Sequence, residues 1–271
     1  MEQAFTYHQK NGVGYLCAPL LEGKKVVHAF TTREGGVSQG SLSSLNLGLE
    51  RGDTPEHISE NYRRICSVLE VNPAHVIMAK QVHSAKVQIV TMEDAGRGIS
   101  KPEERMEVDG LVTNVSGLPL VVFYADCVPI LLYHEKTHCL AAVHAGWRGT
   151  VGAIAKNAVR VMQKTYGAAP EEIVAAVGPS IGPCHFEVGA EVAEEFCRSG
   201  LQNQVEKSAL QPEKYIVDLW GSNRSVLLSA GVLPEHINIA KECTVCHTQR
   251  YFSHRGLGAD TGRMALIAAL R

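Results

Sequence analysis

The sequence lacks a dominant charge, an unbroken hydrophobic run, an internal repeat and any low-complexity tract. Its 26 basic and 28 acidic side chains leave a formal net charge of -2 over 271 residues, which removes any global electrostatic reason to bind a nucleic acid polymer or an anionic membrane. A small molecule is therefore the expected partner. The longest apolar stretch, Leu118 to Tyr133, is interrupted by Pro119, Asp126 and Pro129 and falls short of the roughly 20 clean residues that a membrane span needs. Met1 to Lys10 (MEQAFTYHQK) has an acidic second residue and no apolar core, so no secretory signal is expected and the expected location is cytoplasmic. A chain with 45% hydrophobic and 20% charged residues is not a disordered one.

What the sequence does contain is eight cysteines and twelve histidines. Without a leader, and with enough length to bury a large core, the cysteines are not expected to form a disulfide framework, and some are free to act as ligands or nucleophiles. The length lies near the upper limit of a single core, about 250–300 residues, and a single domain over 1–271 is expected. Apolar runs alternate with helical patterns, which predicts an α/β (α+β mixed) fold rather than a bundle or a pure sandwich.

Thr54 and Pro55 open one predicted helix, which runs to Glu70. A second carries Val151, Ile154, Ala155, Ala158, Val159 and Met162, with Thr150 as N-cap and Gly167 as stop. A third covers Asp218 to Ala230, and Ala190 to Arg198 is a shorter fourth. Strands are expected at Val26–Thr31, Val76–Met78, Lys86–Val90, Gly110–Thr113, Leu120–Tyr124, Ile130–Tyr133, Cys139–Val143, Ile173–Val177 and Ile237–Ala240. Several are continuously apolar and so predicted to be covered on both faces. Met264 to Leu270 fits strand or helix. Gly35–Ser44, Met92–Met106 and Leu201–Lys214 look least structured.

Polar residues at the ends of buried strands are the first place to look for chemistry. The strand Leu120–Tyr124 runs into Asp126 and Cys127, and Cys139–Val143 runs into His144. If these strands are near neighbours, Cys127 and His144 approach each other, and His83 is a candidate third ligand. A thiolate and two imidazoles suit zinc or copper, and three protein ligands with one open position make a catalytic site. The alternative is that Cys127 is a small buried hydrophobe and the histidines are ordinary core or surface residues. Cys127 activated by His83 or His144 as a nucleophile is a further enzymatic option.

Gly146 to Thr150 stands between a strand and the start of a helix, where free amides and the helix dipole favour an anion such as phosphate, and Arg148 adds charge. A tight turn in which the glycines serve only geometry explains the same residues. Arg33 and Arg255 sit in glycine-rich loops able to present guanidinium groups to phosphate, or are plain surface arginines. Cys243-Thr244-Val245-Cys246-His247 matches the C-x-x-C-H of covalent haem attachment, which is unexpected without export. His185-Phe186-Glu187 with Cys243 and Cys246 is similar to the H-x-E and P-C-x-x-C of zinc nucleobase deaminases, but Glu242 stands at the proline position.

Taken together, several segments resemble the YfiH/YlmD-like laccase-domain family over about Val26 to Leu270: TTREGGVS at Thr31–Ser38, LNLG at Leu45–Gly48, QVHS at Gln81–Ser84, DGLVT at Asp109–Thr113, ADCVPILL at Ala125–Leu132, HAGWRGT at His144–Thr150, GPSIGPCHFEVG at Gly178–Gly189, and FSHR with TGR near the end. The resemblance implies a compact fold of mixed sheets flanked by helices and a metal site of His83, Cys127 and His144, holding Zn2+ or alternatively Cu2+. It also implies purine nucleoside chemistry: phosphorolysis of adenosine, inosine and methylthioadenosine, and deamination of adenosine. Phosphate is expected on Arg33, Arg148 or Arg255, and Asp126 is the candidate proton-moving carboxylate, its alternative role being to shape the turn that presents Cys127. The family commonly reads S-Y/H-R-R-D-G where this chain has Ser253-His254-Arg255-Gly256, so one arginine is missing and weaker phosphate binding is expected. Copper-dependent oxidation of phenols and a non-enzymatic metal-binding module are the rival expectations.

Overall fold

The computed structural model describes residues 4–271. Met1–Gln3, the start of the segment read as lacking a secretory signal, lie outside the described residues. The chain opens with a hairpin of β1 (Thr6–Lys10) and β2 (Val13–Cys17). Its turn residues Asn11 and Gly12 have φ of 52° and 80°, the left-handed pair that a two-residue type I′ turn requires and that Asn-Gly adopts at least cost. This hairpin is absent from the expected strands, although Asn-Gly is a strong local signal for one.

Then follow β3 (Val26–Thr31), α1 (Pro55–Leu69), β4 (Ile77–Met78), β5 (Val87–Ile89), β6 (Gly110–Thr113), β7 (Leu120–Tyr124), β8 (Val128–His134) and β9 (Cys139–Ala145). The second half holds α2 (Trp147–Val151), α3 (Ile154–Tyr166), β10 (Val174–Val177), β11 (Glu187–Val188), α4 (Ala190–Arg198), β12 (Val205–Lys207), β13 (Tyr215–Val217), α5 (Leu219–Ser229), β14 (Ile237–Ile239), α6 (His254–Leu257) and β15 (Met264–Leu270).

Two six-stranded mixed sheets, ordered β1-β2-β3-β15-β7-β4 and β14-β10-β8-β9-β6-β5, carry the fold, with a small third sheet β11-β13-β12. Pairing is antiparallel except for β4 with β7, β5 with β6 and β10 with β14. The two large sheets face each other: Phe30, Tyr124 and Leu266 of the first share a core with Leu131, Leu140 and Ala142 of the second. On the outer face of the first sheet, Ala29, Val121 and Ile267 pack under Tyr62 and Ile65 of α1. On the outer face of the second, Leu132 and Ala141 pack under Ala155 and Met162 of α3 and Leu227 of α5. The result is four layers, helix, sheet, sheet, helix. It explains why every residue of β8, β9 and β15 is buried, since a strand covered on both faces has no polar side to show. Met264–Leu270 is therefore a strand and not a helix, and it is central.

α1 starts as expected, the Thr54 side chain accepting from the His57 amide. Its buried Asn61 accepts from the Val37 amide at 2.9 Å and donates to the Ser38 hydroxyl and the Asn46 carbonyl at 2.8 Å each. The helix thereby pins the glycine loop at Gly35–Ser38 to the sheet. The expected second helix needs correcting. Helix begins at Trp147, directly after β9 with Gly146 as N-cap, so Thr150 lies inside it, its hydroxyl accepting from Asn223 at 3.1 Å. The chain then breaks at Ala153, whose φ of 55° no continuing helix adopts, and restarts at Ile154. Gly167 does end α3, at φ 73°. α4 and α5 match expectation, Asp218 capping the amides of Trp220 and Gly221. The third sheet was not expected, its strands being only two or three residues long, and β12 lies within the stretch Leu201–Lys214 read as least structured. All eight cysteines are free. Among the described residues no helix is long and apolar enough to cross a membrane.

One buried group makes the fold acid-sensitive. His28 of β3 is 4% exposed, and its Nε2 accepts a hydrogen bond from the Ala18 amide at 2.8 Å, which requires the neutral ring. Burial first, then the neighbouring His8 charge, lower its pKa to about 4, whereas an unfolded histidine titrates near 6.5. The stability this contributes is complete above about pH 6.5 and is lost as pH falls through about 4, on the order of 3 kcal/mol in all. Thermal unfolding between pH 7 and pH 4 should show this slope. His28→Leu is expected to be less stable at pH 7, because the Ala18 amide loses its acceptor, and to show a shallower pH dependence.

Candidate metal centre and its pocket

β8 and β9 pair with Val128 opposite Ala145 and Pro129 opposite His144. That register places Cys127, one residue before β8, beside the end of β9. The strand that brings Cys127 to His144 is thus the one following the cysteine, not the one preceding it. His83 arrives on the loop between β4 and β5. The ligand atoms of His83, Cys127 and His144 lie within 4.8 Å of one another, with Cys127 Sγ 3.9 Å from His83 Nε2 and the two rings edge to face at 5.0 Å. His83 is exposed, Cys127 partly exposed and His144 buried.

Asp109, at the start of β6, organises this triad and is itself fully buried. Its Oδ1 is 2.9 Å from His144 Nδ1. Its two oxygens also accept from the amides of Val82, His83 and Ser84 at 3.3, 3.1 and 2.6 Å, and from the Ser84 hydroxyl at 2.8 Å. These bonds hold His83 at φ 58°, a left-handed conformation that a β-carbon resists. With Nδ1 engaged, His144 presents Nε2 to the cavity, an arrangement that fixes tautomer and ring orientation in metal-binding histidines.

The charges favour a ligand set. Burial works against the Cys127 thiolate, but the charge and hydrogen bond of His144, and then those of His83, lower its pKa to about 6. Burial likewise works against protonated His144, yet the Cys127 charge and the Asp109 hydrogen bond raise it to about 9. Burial also opposes ionised Asp109, and its bonds to His144 and Ser84 more than compensate. An environment that holds a thiolate beside an imidazolium also suits a thiolate beside a metal cation. Gly146 leaves the approach open: a β-carbon there would sit 3.0 Å from His83 Cδ2 and 3.2 Å from Cys127 Sγ.

The triad lies in a cavity of about 390 Å³. Phe123, Trp147 and Phe186 supply apolar wall, and Arg51, Arg105, Arg255 and Arg263 bring positive charge. Arg105 is paired with Glu50. Among the described residues the guanidinium groups of Arg51 and Arg263 bond to backbone carbonyls alone, Arg51 to Ala259 at 3.3 Å and Arg263 to Thr261 and Gly262 at 2.9 Å each. Burial and then the Arg51 charge lower the Arg263 pKa to about 10, against the opposing charges of Cys127 and Asp126, so Arg263 is a cation at neutral pH and is repelled by Arg51.

The anion-site residues expected from sequence separate here. Arg255 lines the cavity, its guanidinium donating to the carbonyls of His185 and Glu187 at 3.0 and 3.2 Å. Arg148 is exposed, stacked over Trp147 at 4.2 Å, and points away because α2 turns its second residue outward. Arg33 is structural: it donates to the carbonyls of Ser43 and Thr248 at 2.7 and 2.9 Å and lies 4.5 Å from the Phe252 ring. Neither lines the cavity. Asp126 does, but at φ 92° its carboxylate already accepts from Thr244 Oγ1 at 2.6 Å, Ser253 Oγ at 2.7 Å and the Arg255 amide at 2.7 Å. Asp109, Arg51, Arg105 and Arg263 were not singled out from sequence. Asp109 and Arg263 stand in the DGLVT and TGR segments, whereas Arg105 falls in a stretch that looked unstructured.

Comparison with known proteins places this arrangement. Residues 27–271 match the family model described as multi-copper polyphenol oxidoreductase laccase, and the chain belongs to that laccase-domain family, which also holds the YfiH and YlmD proteins. It is similar to purine nucleoside phosphorylase YlmD of Geobacillus stearothermophilus, at 38% identity over 90% of this chain and 90% of the relative. It is also similar to adenosine deaminase RL5 of an unknown prokaryotic organism, at 37% identity over 88% and 91%. Among solved structures, YfiH of Bacillus licheniformis superimposes with a TM-score of 0.91 at 29% identity, covering 98% of this chain and 99% of the other.

Asp109→Asn tests the geometry. An amide cannot accept from all of these donors at once, so divalent-metal affinity, measured by competition with a chelating dye, is expected to fall about 10- to 100-fold. Gly146→Ala should weaken metal binding as well while keeping its backbone conformation, because the added methyl crowds Cys127 and His83.

Proposed function

We propose that this chain is a zinc-dependent purine nucleoside phosphorylase that cleaves adenosine, inosine and methylthioadenosine to free base and ribose 1-phosphate or its methylthio analogue, and that also deaminates adenosine. The observation that carries this reading is the pair of cations Arg51 and Arg263, neither of them in ion-pair contact with a carboxylate among the described residues, in the same cavity as the His83–Cys127–His144 triad. An anion between them relieves their repulsion. The names of the relatives support the purine and the phosphate.

In phosphorolysis a phosphate oxygen bonds to C1′ of the sugar as the C1′–N bond breaks, and the electron pair and then a proton go to the base. The protein must therefore hold phosphate below the sugar, hold the base, and stabilise negative charge on the departing base. Arg51 and Arg263 hold the phosphate, with Arg255 beside them. Phe123, Trp147 and Phe186 offer flat apolar surface for base and sugar and exclude water. His83, Cys127 and His144 hold the metal, which when bound supplies Lewis acidity to the base or to an attacking water. With three donors on its carboxylate, Asp126 acts by fixing Cys127 and Arg255 rather than by moving a proton. One thiolate with two imidazoles also accommodates copper, which keeps phenol oxidation as a second reading. The reaction matches a cytoplasmic small-molecule enzyme.

Adenosine incubated with the zinc-loaded protein is expected to yield adenine and ribose 1-phosphate only when phosphate is present, and inosine with or without it. Absence of both products from fully zinc-loaded protein refutes the proposal. Arg263→Met is expected to raise KM for phosphate by about 10- to 100-fold, the worth of a charge-assisted hydrogen bond. Arg148→Ala, outside the cavity, should leave it unchanged.

A further inference from the structure

Two segments with no part in the triad meet at a second cluster. Cys184 and His185 lie in a turn in which the amides of His185 and Phe186 both donate to the Gly182 carbonyl at 3.0 Å. Cys243 and Cys246 lie in another, closed by the His247 amide on the Cys243 carbonyl at 3.2 Å. The turns are joined at their bases, where the Ser180 amide donates to Glu242 at 3.2 Å and the Thr244 amide donates to Ser180 at 3.1 Å.

At the tip, His185 Nδ1 is 3.3 Å from Cys184 Sγ, 3.6 Å from Cys243 Sγ and 3.5 Å from Cys246 Sγ, and the sulfurs of Cys184 and Cys246 are 3.6 Å apart. All four ligand atoms lie within 4.8 Å of one another. For a tetrahedral ion with sulfur at about 2.3 Å and nitrogen at about 2.05 Å, the edges of the tetrahedron are about 3.8 Å between sulfurs and about 3.5 Å between sulfur and nitrogen. The contacts match those edges, and van der Waals packing alone gives no reason for three sulfurs and one ring nitrogen to converge on one point. The Gly182 amide also donates to Cys243 Sγ at 3.3 Å, the kind of outer bond that stabilises a ligating thiolate.

The geometry points to a second metal site in this chain, a closed Cys3His site of Cys184, His185, Cys243 and Cys246 for a tetrahedral, thiophilic divalent cation of the zinc type. Four protein ligands leave no open position, so the site is structural, in contrast to the three-ligand triad. The H-x-E and C-x-x-C similarity to nucleobase deaminases thus resolves differently: Cys184 takes the position a catalytic water needs, and Glu187 is engaged with the Ser208 hydroxyl at 2.9 Å. The ion would clamp the cavity-wall segment carrying Phe186 to the segment that reaches Asp126 through Thr244. This inference does not depend on which reaction the cavity performs.

The test is metal stoichiometry of the full chain, prepared in reducing buffer and loaded with zinc alone. Two equivalents are expected in the wild type and one in the triad variant His83→Ala/Cys127→Ser. In that variant zinc should protect Cys184 and Cys246 from alkylation, and cobalt should give a thiolate charge-transfer band with tetrahedral ligand-field absorption. Cys184→Ser/Cys246→Ser should retain only the triad equivalent; if it fails to fold, the triad variant decides alone. The inference is overturned if the triad variant binds no zinc, or if Cys184 and Cys246 alkylate equally fast with and without it. Loss of the nucleoside activities with the second equivalent intact would instead strike only at the proposed function.

Discussion

The site depends on one buried carboxylate. Removing Asp109 from water carries a desolvation cost of several kcal/mol, and that cost is tolerable only because its oxygens are satisfied by three amides, a hydroxyl and the His144 ring. Every donor comes from a segment that must be placed for the triad to exist. The amides fix the His83 loop in an unfavourable backbone conformation, and the ring bond fixes the tautomer and orientation of His144. The paired register of β8 and β9 then delivers Cys127 without further help. Asp109 itself directly precedes β6, which is paired on both sides, with β9 and β5, so the precision of the ligand set derives from the sheet and not from the loops that carry two of its members.

Asp126 plays the corresponding part on the opposite wall. Adjacent to Cys127 in sequence, it reaches Thr244, Ser253 and the Arg255 amide, all more than a hundred residues away. Two acidic hubs thus position the cavity's residues, Asp109 buried behind the triad and Asp126 in the lining. An acidic residue beside a candidate metal ligand is easily read as a proton shuttle; here Oδ1 of Asp126 already accepts from two hydroxyls and Oδ2 from the Arg255 amide.

The principal helices and most strands were legible because their burial patterns are local and periodic. The triad was legible only as strand ends that needed to meet, and its three members are separated by spacings that no local motif links. Arg51 and Arg105 were not legible at all, and Arg263 only as the last residue of the TGR segment. Each is one arginine among many in the sequence, and what distinguishes Arg51 and Arg263, a shared cavity in which neither is in ion-pair contact with a carboxylate among the described residues, exists only in three dimensions. Arg33 and Arg148 show the converse. Glycine-rich loops and strand-to-helix turns make an arginine look like an anion ligand, yet one is bound by carbonyls and the other lies on an exposed helical turn. The Asn11-Gly12 hairpin was legible in principle, being a local signal, whereas the two- and three-residue strands of the third sheet are too short to carry any period.

The position of β15 sets an order of events. It comes last in chain order and yet lies between β3 and β7 at the centre of the first sheet. A chain emerging from the ribosome makes both neighbours long before the strand that joins them, so during synthesis two apolar, unpaired edges wait for it. The same late segment brings Arg263, and the loop before it brings the partners of Asp126. The cavity cannot close before β15 has been made, and neither half of this fold finishes without it.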